Sequence, residues 1–226
     1  MNCLVIVAHP DDETIWMGGL MIRHPKWDWH VLSLCRADDA DRAARFQKAA
    51  REYGALAAVS DLDDSPIPKP LSPDLSEIKD RIGTHIGEVP DGRPDVCELR
   101  LAACNRFDVI FTHGSRGEYT RHERHEQVHR AVREMWTAGD LRGDLVFFAY
   151  DDGGGAHPPR PAPHARIRVP LTTEEYVRKV HILRDIYGYG RDTFEAGCAG
   201  TMEAFDTNAG ADTVRRLQAE FAAQDH

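Results

Sequence analysis

The stretch Cys3-Leu4-Val5-Ile6-Val7-Ala8-His9-Pro10-Asp11-Asp12-Glu13 decides how this chain is built. Its first six residues form an almost wholly apolar, β-prone run, the pattern of a strand buried on both faces. A proline and three acidic residues follow. Proline suits a helix start, and acidic side chains there complement the helix dipole, so the pattern predicts a helix from about Asp11 to Arg23. Working outward, Trp29–Cys35 reads as a second strand and Asp38–Tyr53 as a second helix closed by Gly54. Ala55–Leu62 gives a third strand and Asp108–Thr112 a fourth. His122–Thr137 is a helix, and Leu145–Tyr150 a fifth strand. Strands alternating with helices imply a parallel sheet covered on both sides, a Rossmann-like, doubly wound α/β domain.

Two stretches interrupt the alternation. Residues 63–94 carry six of the thirteen prolines around one short helical pattern, Leu75–Thr84, and residues 151–165 carry four more beside Gly153-Gly154-Gly155. Long loops in a compact α/β domain commonly form lids or substrate walls. The last third predicts helices near Thr173–Tyr187 and over Asp212–Ala223. At about 150 residues per domain, 226 residues without repeats or linkers read as one domain over 1–226.

The net charge of −9 argues against nucleic acid or an anionic membrane as main partner, since both reward a basic face. The apolar runs are too short to span a bilayer, the N-terminus lacks a signal-peptide pattern, and so no membrane anchor is expected. Cys3, Cys35, Cys97, Cys104 and Cys198 are odd in number and form no C-x-x-C pair. A disulfide scaffold and a thiolate zinc knuckle are both disfavoured, and a reducing cytoplasm is the expected compartment. A homo-oligomer is compatible with the sequence.

In a doubly wound sheet, ligands bind beyond the carboxyl ends of the strands. A dinucleotide site would need G-x-G-x-x-G after the first strand, where this chain has His9-Pro10-Asp11-Asp12-Glu13. Carboxylates there repel a pyrophosphate and suit a cation: one imidazole and two carboxylates supply ligands for a metal such as zinc. A second cluster, Thr112-His113-Gly114-Ser115-Arg116-Gly117-Glu118-Tyr119 with His122-Glu123-Arg124-His125 and His129, follows the fourth strand. On a helix His122, His125 and His129 share one face. Taken alone, the first cluster reads equally as a helix cap and the second as a solvated helix face. Strands one and four are neighbours in the common sheet order, and together the clusters favour one metal site. Glu13, His113 and His129 are expected to support that site from behind.

These residues resemble the zinc-dependent N-deacetylases that include N-acetylglucosaminyl-phosphatidylinositol de-N-acetylase and the LmbE-like proteins. Ala8 to Glu13 repeats the family's A-H-P-D-D-E without change. His122-Glu123-Arg124-His125 keeps both histidines of its H-x-x-H, commonly H-P-D-H, but not the residues between. The similarity takes in Arg42 on the second helix and the acidic pair Asp63-Asp64, and covers roughly residues 3–135. It implies one Zn²⁺ per chain held by His9, Asp12 and His125. Asp11 would be the general base and a protonated His122 the oxyanion stabiliser. Arg42, Asp63 and Asp64 would bind an acetylated amino-sugar substrate, whose amide is hydrolysed to acetate and a free amine. Arg45 departs from the family, standing where an acidic residue is usual. The rival expectations are a metal-dependent esterase or phosphoesterase, and a non-catalytic metal- or nucleotide-binding module.

Overall fold

A computed structural model describes residues 1–65, 74–86, 105–119 and 122–224. Strand β1 (Asn2–Val7) lies inside a seven-stranded sheet, paired in parallel with β2 (Asp28–Cys35) on one side and β4 (Arg106–Thr112) on the other. β3 (Leu56–Leu62) extends the sheet past β2, and β5 (Arg142–Phe148) extends it past β4, both in parallel. The order changes direction between β1 and β4, which is the switch point expected from the sequence.

The apolar run of β1 supplies both layers of the core. Cys3, Val5 and Val7 pack on one side with Trp16 and Leu20 of α1 (Asp12–Arg23) and Phe46 of α2 (Ala40–Tyr53). Leu4, Ile6 and Ala8 pack on the other with Ile78 and Ile82 of α3 (Ser76–His85) and Val128 and Val132 of α4 (Glu123–Ala138). Alternate side chains of a strand point to opposite faces, so a continuous apolar run is what a two-sided burial requires. Helix α3 answers to the short helical pattern inside the proline-rich stretch 63–94, all six of whose prolines lie outside the described residues.

The last third adds strands that the sequence reading did not anticipate. β6 (Tyr150–Asp151) and β7 (Arg160–Pro161) form a small antiparallel pair. Between them Gly153, Gly154 and Gly155 all take φ between 64° and 89°, a left-handed turn that favours glycine. β8 (Ile167–Pro170) and β9 (Met202–Thr207) then join the main sheet, with β9 antiparallel to both β5 and β8. Helix α5 (Thr173–His181) runs into a single π-helical turn (Ile182–Ile186), and α6 (Phe194–Cys198) and α7 (Ala211–Ala222) complete the chain.

Glu203 of β9 reaches the middle of α1, where its carboxylate accepts the N–H groups of Gly19 and Leu20, both at 2.7 Å, and the Lys179 ammonium, also at 2.7 Å. The Trp16 carbonyl nearby accepts the Tyr150 hydroxyl at 2.8 Å. Cys3, Cys35 and Cys198 are buried free thiols, and Cys97 and Cys104 lie outside the described residues. Among the described residues no helix is long and apolar enough to cross a membrane.

Candidate active site

The carboxyl ends of β1 and β4 bring the two clusters together. His9 to Asp12 form the turn from β1 into α1, and His113 follows the end of β4. His122 caps α4, with His125 and His129 one and two turns further along. Three atoms converge: His9 Nδ1 lies 3.3 Å from Asp12 Oδ2, and His125 Nε2 lies 3.3 Å from His9 Nδ1 and 3.4 Å from Asp12 Oδ2. Nitrogen and oxygen ligands about 2.0–2.1 Å from a tetrahedral cation stand about 3.3 Å from one another. The triangle therefore has the dimensions of one face of such a site.

The groups behind the triangle fix which nitrogens are bare. His125 Nδ1 donates to Glu118 Oε2 at 2.6 Å, and His9 Nε2 donates to Asp64 Oδ1 at 2.9 Å. With their protons turned outward to carboxylates, both imidazoles aim lone pairs inward, the arrangement that supports metal-ligating histidines. Without a cation, protons take its place. Burial opposes a charge on His125, but Asp12 and Glu118 outweigh it and push that imidazole up to about 10. His9 is likewise raised: burial works against it, and the bonds to Asp12 and Asp64 prevail. Burial would raise Glu118, yet the imidazoles of His113 and His125 hold it down to about 2.

Glu118 also accepts the Gly114 N–H at 2.8 Å through its other oxygen. A Cβ on Gly114 would stand 2.7 Å from the Phe148 carbonyl, so this turn can lie against β5 only with glycine there. His113 cannot join the triangle: its Nε2 accepts the Ala8 N–H at 2.9 Å and its Nδ1 donates to Glu118 at 2.9 Å. Both nitrogens are spoken for, and burial, with His125 beside it, moves this imidazole down from its ordinary value. His129 Nδ1 donates to the His113 carbonyl at 2.8 Å, steadying the end of β4.

Asp11 turns away from the triangle. Its φ of 129° is a strained value for a side-chain-bearing residue, and it lets adjacent aspartates face different ways. Asp11 Oδ2 accepts Arg42 Nη2 at 2.6 Å and the Tyr189 hydroxyl. Burial first, then the charge of Asp12, pushes the Asp11 carboxyl up to about 7 against the pull of Arg42 and Tyr189. A cation among the three donors would offset Asp12 and lower it again. Asp12 is lowered well below the usual range: burial opposes this, and the charges of His125 and His113 dominate. Glu13 accepts the Asp11 N–H at 3.0 Å, the Thr14 hydroxyl at 2.7 Å and the Tyr187 hydroxyl at 2.6 Å.

Arg45, the departure from the family pattern, has a clear contact. Its Nε donates to Asp41 at 2.7 Å and its Nη1 to the Tyr187 carbonyl at 2.7 Å, which pins the turn that carries Tyr187 and Tyr189 to the acidic residues. Of the residues expected to meet substrate, Arg42 is bonded to Asp11, and Asp64 to His9 and to Arg36 Nη2 at 2.5 Å. Asp63 is bonded to Ser65 through its side chain, and its carbonyl accepts from Arg124. His122 lies beside the triangle, with ring centroids 4.6 Å from His9 and 4.3 Å from His125. Burial and the charges of His125 and His9 hold its imidazole down to about 3 when no cation is bound. Its Nδ1 is buried with no hydrogen-bond partner.

Glu118, Tyr187, Tyr189 and Arg36 were given no role by the sequence. Glu118 lay in the quoted cluster, but nothing in spacing tells a buried carboxylate from a surface one. The tyrosines come from the last third, where no motif marks them.

The switch point of this doubly wound domain gathers two imidazoles and a carboxylate into a group that could hold a metal ion, with a second carboxylate beside it. Residues 4–136 match the family model described as PIG-L, GlcNAc-PI de-N-acetylase, and the chain belongs to that family. No curated protein sequence matches it. Among solved structures, the conserved protein TT1542 from Thermus thermophilus is similar, with a TM-score of 0.62 and 17% identity over 92% of this chain and 95% of that one. The N,N'-diacetylchitobiose deacetylase from Pyrococcus horikoshii follows at 0.58 and 14%, covering 91% and 82%. The 4-carboxy-2-hydroxymuconate hydratase GalB from Pseudomonas putida scores 0.56 at 14%, covering 88% and 83%. At these identities the likeness is one of fold, and the fold carries more than one chemistry.

Proposed function

We propose that this protein hydrolyses the amide of an N-acetylated amino sugar, releasing acetate and a free amine, with one Zn²⁺ held by His9, Asp12 and His125. The observation that carries this reading is the triangle of bare donors with edges of 3.3–3.4 Å, backed by Glu118 and Asp64. Two nitrogens and an oxygen suit zinc, and three protein ligands leave room for a further one, as a catalytic site needs. Bound there, zinc would lower the pKa of water toward about 7 and polarise a carbonyl. Asp11 is the proton acceptor, because its carboxylate lies next to the donors without being one of them. Arg42 and Tyr189 hold it in one orientation, which is what a general base requires. His122, kept neutral, offers an N–H toward the charge that develops on the amide oxygen. Asp64 and Glu118 act through His9 and His125 as positioning residues.

Membership of a de-N-acetylase family and the fold shared with a chitobiose deacetylase support the amide reading. The test is acetate release from a panel of N-acetyl sugars by zinc-loaded protein, before and after chelation. Asp11→Asn should keep its zinc and lose at least about a hundredfold in kcat. Acetate that survives chelation, or an Asp11→Asn protein as active as the parent, would refute the assignment.

A further inference from the structure

His9 has a second nitrogen with neighbours of its own. Strands β1, β2 and β3 lie side by side, and each leads to a metal-ligating side chain: His9 after β1, Cys35 as the last residue of β2, and Asp64 just past β3. The Cys35 N–H donates to the Ala8 carbonyl at 2.9 Å, which seats the thiol beside the His9 turn. A ring nitrogen of His9, the Cys35 sulfur and a carboxylate oxygen of Asp64 all lie within 4.8 Å of one another. The edge from His9 Nε2 to Asp64 Oδ1 is 2.9 Å, and Asp64 keeps its other oxygen for Arg36. His9 and Cys35 are buried, and Asp64 partly so.

This group differs in kind from the triangle. Tetrahedral zinc, with bonds of about 2.3 Å to sulfur and about 2.0–2.1 Å to nitrogen, sets a sulfur–nitrogen edge of about 3.6 Å. A spread of up to 4.8 Å admits the longer bonds of a larger ion, and a thiolate selects soft metals. Arg124 and Arg36 act on the Cys35 thiol with positive charge, so affinity here must come from the bond to sulfur and not from attraction of charge alone. A neutral imidazole has one bare nitrogen at a time. Asp12 Oδ2 stands 3.3 Å from His9 Nδ1 and Asp64 Oδ1 stands 2.9 Å from Nε2, so the ring proton finds an acceptor on either side. We infer that His9, Cys35 and Asp64 form a second cation site, for a soft divalent ion such as Cd²⁺, which excludes zinc from the first site by claiming His9. On binding, the thiol proton leaves for solvent and the imidazole proton moves to Nδ1, facing Asp12. The triangle then lacks one corner. The competition rests on the zinc reading above; the sulfur site itself does not.

The experiment titrates metal-free protein with Cd²⁺ and follows the thiolate-to-metal charge-transfer absorbance in the ultraviolet. The titration is repeated on zinc-loaded protein, with released zinc measured by a colorimetric chelator. The band should saturate at about one Cd²⁺ per chain, and each cadmium bound should release about one zinc. Loss of outer partners alone typically weakens a metal site about 10–100-fold, so Cys35→Ser should bind Cd²⁺ at least about a hundredfold more weakly. It should lose the band and keep its zinc. Cys35→Ala, which leaves no polar group in that buried position, should behave alike. His125→Ala should do the reverse, losing zinc and keeping the band, and His9→Ala should lose both. A parent without the band at one equivalent of Cd²⁺, or a band that survives both Cys35 variants, overturns the site. Zinc retained beside bound cadmium overturns the sharing of His9. A parent that binds no zinc yet shows the cadmium band rejects the zinc reading, and the competition with it, and upholds the sulfur site.

Discussion

Glu118 shows how one buried side chain can set the state of several others. Its Oε2 receives protons from His113 and His125, and this leaves His125 Nε2 bare toward His9 and Asp12. Glu118→Gln would offer a weaker, neutral acceptor and an amide donor with no partner. The variant should fold and bind zinc about 10–100-fold more weakly in a chelator competition, as loss of such partners typically does. Affinity equal to the parent's would mean that Glu118 orients the turn and leaves the metal untouched. At this scale the sequence was legible where a motif spelled out contiguous residues, as in Ala8 to Glu13. It was not legible where a role depends on burial. His113 and His125 look alike in a string, and only the Ala8 N–H on His113 Nε2 separates a supporting imidazole from a donor.

The strap from Tyr187 to Tyr189 starts where the expected helix near Thr173–Tyr187 ends, and it places two hydroxyls on the acidic turn. Arg45 holds it by the Tyr187 carbonyl. Arg45→Ala should cut kcat/KM about tenfold with zinc content unchanged, since a base held less firmly is a base misplaced. The double variant with Tyr189→Phe should lose less than the two single losses combined. Independent effects would show that Arg45 acts elsewhere. The parallel half of the sheet was legible because its central strand β1 is apolar on both faces and β4 and β5 end in apolar runs. β8 escaped because it has only four residues, and β9 because a buried charge, Glu203, breaks its apolar pattern. That charge is costly to disturb. Glu203→Ala would leave Lys179, 1% exposed, and two N–H groups of α1 without their acceptor, and should cost about 3–5 kcal/mol in urea unfolding. A loss below about 1 kcal/mol would mean that water replaces the carboxylate.

For the whole molecule, the paired charges of the centre set a pH range. In metal-free protein His125 is raised from 6.5 to about 10, so its contribution is complete below about 6.5 and fades as pH rises through 10. Glu118 and Asp64 are lowered to about 2, so theirs is complete above about 4.5 and fades as pH falls toward 2. Metal-free protein should therefore unfold at the highest denaturant concentration between about pH 4.5 and 6.5. Zinc must displace protons from His125 and His9, so its affinity should climb with pH until His125 loses its proton near 10, with proton release visible by calorimetry in buffers of different ionisation enthalpy. A pH-independent affinity would contradict the proton-filled centre. The bond from Glu203 to α1 spans 184 residues and has a consequence for biosynthesis. A ribosome presents Gly19 and Leu20 early and the carboxylate that serves them very late. Until then the central turn of α1 lacks its partner, although the residues matching the family model have all emerged. A nascent chain stalled before residue 203 should stay open to protease within α1, and become resistant once β9 has been threaded beside β5.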